Sequence, residues 1–167
     1  MLRPQTRLVL AISLDGRLAP PAGGPAQLGG KGDRRVLEEA LTWADGCLIG
    51  AQTLRLHGST CLIKAPDLQL QRQDQGRAPQ PVAIVVSRSG LLPAELPFFA
   101  QPLERWLLQP EGGPSRPPGF SLHLPWHDWA QALAVLGGQG LRRLVVLGGA
   151  QLAASLLQAD CIGIRTV

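Results

Sequence analysis

The sequence predicts an α/β domain with a mostly parallel central sheet and helices on both faces. Three observations carry that expectation. The continuous apolar runs Leu8-Val9-Leu10-Ala11-Ile12, Val82-Ala83-Ile84-Val85-Val86 and Leu144-Val145-Val146-Leu147 lack polar alternation, as strands buried on both sides do. Stretches of helical periodicity lie between such runs, so strand and helix alternate along the chain. Glycine and small polar residues follow several of the runs, marking sharp turns at their carboxyl ends.

The first strand spans 8–12 and ends in Ser13-Leu14-Asp15-Gly16-Arg17; the Pro- and Gly-rich 20–32 reads as a loop. Asp33 is placed to cap a helix over 34–43, with Val36, Leu37, Ala40, Leu41 and Ala44 on one face. A second strand at 46–50 leads into a short helix from 51 to about 56. Residues 58–80 read as a polar connection with a brief strand at 61–63, and 82–86 is the clearest strand. The proline-rich 91–119 holds a strand at 105–108 and an exposed loop at 112–119. A strand is expected at 120–124 and a helix over 126–136, stopped by Gly137-Gly138. A strand at 144–147 turns through Gly148-Gly149 into a helix over 150–158. Another strand can begin at Cys161.

With 167 residues the chain reads as one domain, 1–167. Apolar residues make up 45% and charged residues 17%, a globular balance; tyrosine is absent, so the core is expected to be aliphatic. The net charge of +4 suits an anionic small molecule, and the scattered arginines argue against nucleic acid. Cys47, Cys61 and Cys161 form no CxxC pair and suit a reducing compartment. The run 8–12 is too short for a signal or a membrane span, so the cytoplasm is expected and a membrane partner is not.

Four strand ends carry groups suited to a ligand: Ser13-Leu14-Asp15-Gly16, Gly50-Ala51-Gln52-Thr53, Ser87-Arg88-Ser89-Gly90 and Gly148-Gly149-Ala150-Gln151. At the last, a glycine pair before a helix lets a phosphate approach free N–H groups at the positive end of the helix dipole. Thr53 can cap its helix or bond a ligand, and Ser87, Arg88 and Ser89 suit a 2′-phosphate. Each segment has a plainer reading as a turn that binds nothing. His57 is placed near the site or in solvent. His123 and His127-Asp128 do not share a helical face, so no metal is expected. GxSxG, GxGxxG and Walker A patterns are absent.

Taken in order, four segments resemble the reductase domain of riboflavin biosynthesis, the C-terminal half of the bifunctional deaminase-reductase, with its dihydrofolate reductase-like fold. They are Leu10 to Ala19 (LAISLDGRLA), Ala44 to Thr53 (ADGCLIGAQT), Val85 to Gly90 (VVSRSG) and Leu147 to Leu152 (LGGAQL). The resemblance implies an NADPH-dependent reduction of a phosphoribosylamino-pyrimidine to its ribitylamino product. It assigns the cofactor to Ala11, Gly50, Ala51, Thr53, Ser87, Arg88, Gly148, Gly149, Ala150, Gln151 and Leu152. Ser13 and Asp15 are expected to orient the substrate beside the nicotinamide, with Arg17, Arg34 and His57, and Arg72 as a further cation, on the substrate side.

The chain departs from the resembled pattern at Val9, Leu41 and Leu147, where lysine, arginine and glutamate are usual, and at His57 or Gly58, where aspartate is common. After Ala159 one strand fits and the further antiparallel hairpin of the resembled family does not. The sheet edge left open is expected to be covered by a second subunit, giving a homodimer. Reduction of another heterocycle or a pterin, a non-catalytic dinucleotide-binding module, and a plain α/β domain stand as alternatives.

Overall fold

The computed structural model describes residues 3–10, 31–111, 117–148, 150–159 and 163–166. Seven strands form one sheet: β1 (Gln5–Leu10), β2 (Gly46–Gly50), β3 (Val82–Val86), β4 (Arg105–Pro110), β5 (Leu122–Trp126), β6 (Arg143–Gly148) and β7 (Gly163–Thr166). Their spatial order is β5-β4-β3-β2-β6-β1-β7, and every pairing among them is parallel. The helices are α1 (Lys31–Trp43), α2 (Ala51–His57), α3 (Pro66–Asp74), α4 (Trp129–Gly138) and α5 (Ala150–Gln158). The parallel sheet and its helices have the expected dihydrofolate reductase-like arrangement.

Successive strand residues face opposite layers, so each apolar run supplies two cores. On one face Leu8, Leu48, Ile84, Leu108, Leu144 and Val146 pack with α4 and α5. On the other, Val9, Cys47 and Val145 pack under α1 and α3, and Ile49, Ala83, Val85 and Leu107 pack with α2 and Phe98. The chain steps across the sheet in one direction from β1 to β5 and returns through β6 to β7. The layer carrying the helices changes with that direction, which keeps the hand of the crossovers constant. Cys47 is a buried apolar filler, and burial pushes its thiol pKa up.

The structure corrects several expectations. β1 lies at Gln5–Leu10, ahead of the expected 8–12. Asp33 is inside α1, which spans Lys31–Trp43, and is not its cap; Val36 on that helix is exposed. Trp126 ends β5, and α4 begins at Trp129, where Asp128 caps it by accepting a hydrogen bond from the Gln131 N–H at 2.8 Å.

The largest correction concerns 58–80, which contains α3. Pro66 starts this helix, and only Leu68 and Arg72 bury their side chains. Residues 61–63 form no strand. Their stretch of backbone is held by side chains instead. The Gln101 amide exchanges two bonds with Thr60 (3.0 and 2.9 Å), and the Gln80 amide does the same with Ile63 (2.8 Å each). Glu38 accepts from the N–H groups of Lys64 and Ala65.

Arg72, a substrate cation in the sequence reading, is buried at the opposite side of the sheet. It donates to the carbonyls of Leu41, Thr42 and Ala44 at the end of α1 (3.2, 3.0 and 2.7 Å) and to Ala78 (2.6 Å). It therefore satisfies carbonyls that the helix end leaves unpaired.

Candidate functional site

Because all strands are parallel, their carboxyl ends share one edge, and α2 and α5 start there. β2 passes into α2 at Gly50, an extended N-cap (φ −73°, ψ 144°) that makes no side-chain capping bond. β6 ends at Gly148 and α5 begins at Ala150. The two strands are neighbours, paired Leu48 with Val146 and then Ile49 with Gly148, so the register slips by one residue at Leu147. The slip is a bulge at the site edge. Two helix N-termini thus rise from adjacent strands on opposite faces of the sheet. The first N–H groups of each helix have no partner within it, and neither first turn contains an acidic side chain. This donor set suits an anion that spans the edge.

β3 ends at the same edge. Ser87 is buried, and its hydroxyl accepts from the Gly90 N–H at 2.9 Å, while Ser89 accepts from Leu91 at 3.1 Å. Both hydroxyls therefore shape the turn, and each keeps its own proton for another acceptor. Gly90 has φ +70°, which a side chain would strain. Arg88 is exposed. Arg55 of α2 donates to the Leu91 carbonyl at 2.7 Å and ties the β2 and β3 turns together.

The structure brings Gly50, Ala51, Thr53, Ser87, Arg88, Gly148, Ala150, Gln151 and Leu152 to this one edge. Thr53 is half-buried in the first turn of α2, behind the Gly50 cap. His57 is exposed at the far end of the same helix. Ala11, Ser13, Asp15, Arg17 and Gly149 lie outside the described residues.

Arg34 has a second task. It donates to Glu38 at 2.9 Å and to the Leu62 carbonyl at 3.1 Å, which anchors the segment after α2 to α1. Glu38 is 5% exposed. Burial alone would raise its pKa, but the N–H of Ala65, the Arg34 guanidinium and the N–H of Lys64 hold it below the usual carboxylate range. The sequence reading missed Glu38, and its only signal was a carboxylate on the apolar side of a helix.

Val9, Leu41 and Leu147 meet in one apolar cluster with Cys47, Ile63, Leu68 and Val145. At the three positions where the resemblance implies charge the chain thus carries aliphatic side chains, with Val9 and Leu41 buried in the core and Leu147 half-buried against them. Elsewhere His127 pairs with Glu111 at 3.0 Å and His123 lies against Phe120 at 6.0 Å. Among the described residues no cluster of His, Cys, Asp or Glu could hold a metal, and no helix is long and apolar enough to cross a membrane.

The family model described as the RibD C-terminal domain matches residues 4–163. The 2,5-diamino-6-ribosylamino-4(3H)-pyrimidinone 5′-phosphate reductase of Archaeoglobus fulgidus is 25% identical over 85 residues, 51% of this chain and 39% of that protein. A pyrimidine reductase-like protein from Corynebacterium diphtheriae superposes with TM-score 0.79 at 20% identity, over 98% of this chain and 73% of its own. Acinetobacter baumannii RibD superposes with TM-score 0.81 at 20% identity, over 98% of this chain and 45% of its own. The two structures show the same fold, and the chain spans under half of the archaeal and Acinetobacter proteins.

Proposed function

The chain belongs to the RibD C-terminal domain family, and from that premise we propose that it is an NADPH-dependent reductase of a phosphorylated pyrimidine. The observation that carries the proposal is the pair of helix N-termini, free of acidic side chains in their first turns, that follow the adjacent strands β2 and β6. The donor set fits the cofactor: N–H groups of α2 and α5 receive the diphosphate, and Arg88, beside the Ser87 hydroxyl, receives the 2′-phosphate. Bound NADPH would supply a hydride to C1 of the ring-opened imine of a phosphoribosylamino-pyrimidine, and a proton from water would complete the ribitylamino product. Ser13 and Asp15 orient that substrate and Arg17 meets its phosphate, while His57, at the far end of α2, stands away from it. Arg34 acts through its bonds to Glu38 and Leu62, holding the segment after α2 in place. The working protein is proposed to be a cytoplasmic homodimer.

A second reading rests on Val9, Leu41 and Leu147, which place aliphatic side chains where the resemblance implies substrate-gripping charge. It suits a less charged heterocycle or pterin, or a module that binds the dinucleotide without turning it over.

The test is a fluorescence titration with NADPH, followed by addition of the phosphoribosylamino-pyrimidine while nicotinamide absorbance is monitored. Saturable binding and oxidation are expected. Binding without oxidation favours the second reading. Absence of binding, or binding unchanged in Gly149→Leu, refutes the cofactor site.

A further inference from the structure

The amino edge of the sheet lies about 16 Å along the strands from the edge just described. There Asp45, Gln75, Arg77, Arg142 and Arg143 line an open cleft of about 390 Å³. We propose that this cleft binds a phosphate group, as inorganic phosphate or a phosphate monoester, through Arg142, Arg143 and Gln75.

Among the described residues Asp45 is the only carboxylate lining the cleft, and its oxygens are already engaged. Oδ1 accepts from Arg77 at 2.7 Å, and Oδ2 accepts from the backbone N–H groups of Arg142 and Arg143 at 2.8 and 3.0 Å. Arg77 also donates from Nη1 and Nη2 to the carbonyls of Thr42, Trp43 and Ala44 and to Gln75 Oε1. That last bond (3.2 Å) leaves the Gln75 NH2 free to donate. Arg142 uses Nη1 on the carbonyls of Gly137 and Leu141, so Nε and Nη2 remain.

The Arg143 guanidinium has no acceptor among the described residues. It rests 5.6 Å from the Trp43 ring centroid, and the Arg7 guanidinium lies 4.0 Å from the same ring. Behind the cleft, burial first and the neighbouring Arg77 second push the Arg72 pKa down to about 10, with Asp45 opposing them. A phosphate offers several acceptor oxygens and up to two negative charges, which match the guanidinium forks.

The test is a titration of 15N-labelled protein with sodium phosphate at constant ionic strength, reading the arginine Nε–H signals. Saturable shifts of Arg142 and Arg143 are expected. Arg143→Ala, at an exposed position, should raise the dissociation constant about tenfold, the loss of one charge-assisted contact. Gln75→Ala should raise it less, and Lys64→Ala should leave it unchanged, with thermal melts confirming that each variant is folded. A parallel titration with ribose 5-phosphate distinguishes the two sources, the tighter one being the ligand class. Shifts that sodium chloride reproduces, or an Arg143→Ala affinity equal to that of the parent, would overturn the proposal.

Discussion

Replacing Glu38 by alanine tests whether one buried carboxylate organises the segment after α2. Its Oε1 accepts two backbone N–H groups, from Lys64 and Ala65, and its Oε2 accepts from Arg34. Without it, two partly buried donors lose their acceptor at about 1–1.5 kcal/mol each. The Arg34 contact adds only about 0.5 kcal/mol, because that side chain is 44% exposed. The expected loss is about 3 kcal/mol, a fall in Tm of roughly 6–12 °C for a domain of this size. Urea unfolding and thermal melts measure it.

Glu38→Gln keeps an oxygen acceptor and should lose less. The acid dependence follows from the lowered pKa. The native carboxyl gives up its proton more readily than the unfolded one, whose reference value is 4.5. Its stabilising contribution is therefore complete above that value and disappears as the pH falls through the native pKa. The stability gap between parent and Glu38→Gln should shrink on acidification below about pH 4.5. An alanine variant within about 0.5 kcal/mol of the parent, or a glutamine gap unchanged down to about pH 3, would refute this account.

Gly119→Ala should destabilise by about 3 kcal/mol in urea unfolding, because its φ is +95° and a Cβ would lie 2.7 Å from Phe99 Cδ1. Ser155→Ala removes the acceptor of the Trp129 indole N–H (2.9 Å) and should cost about 1–3 kcal/mol. Trp129→Phe in the Ser155→Ala background should cost less than in the parent, a double-mutant cycle that checks the α4–α5 tie. Arg88→Ala should weaken NADPH binding about tenfold and leave NADH binding nearly unchanged. Equal losses for both cofactors would place the 2′-phosphate elsewhere.

The strands β2 and β3 and the helix α5 were legible to the residue, since each is a plain apolar run or an amphipathic stripe between turn residues. Helix α3 was not. Its buried face is one leucine and one arginine among glutamines, and the arginine is buried because it meets carbonyls from α1, a partner that no local pattern announces. The expected strand at 61–63 failed for a related reason. The amides of Gln80 and Gln101 satisfy this backbone from 17 and 41 residues away, in place of a neighbouring strand. At the site, the turns after β2, β3 and β6 were readable from Gly, Ser and Arg at strand ends. That Val9, Leu41 and Leu147 join a single apolar cluster was not, because it depends on β1, α1 and β6 meeting under one layer.

The order β2-β6-β1 has a consequence for how the molecule is built. β1 has no pairing with β2; its partners are β6 and β7, encoded about 130 residues or more later. During synthesis β2 to β5 can zip together as each emerges, while β1 waits without a neighbour. β6 must then wedge itself into the middle and close both seams at once. Such distant pairings slow folding and keep an unsatisfied strand edge available to other chains until the end. The nascent protein is therefore most vulnerable to misassembly just before residues 143–148 leave the ribosome, because without them β1 and the β2–β5 strands have no strand to join them.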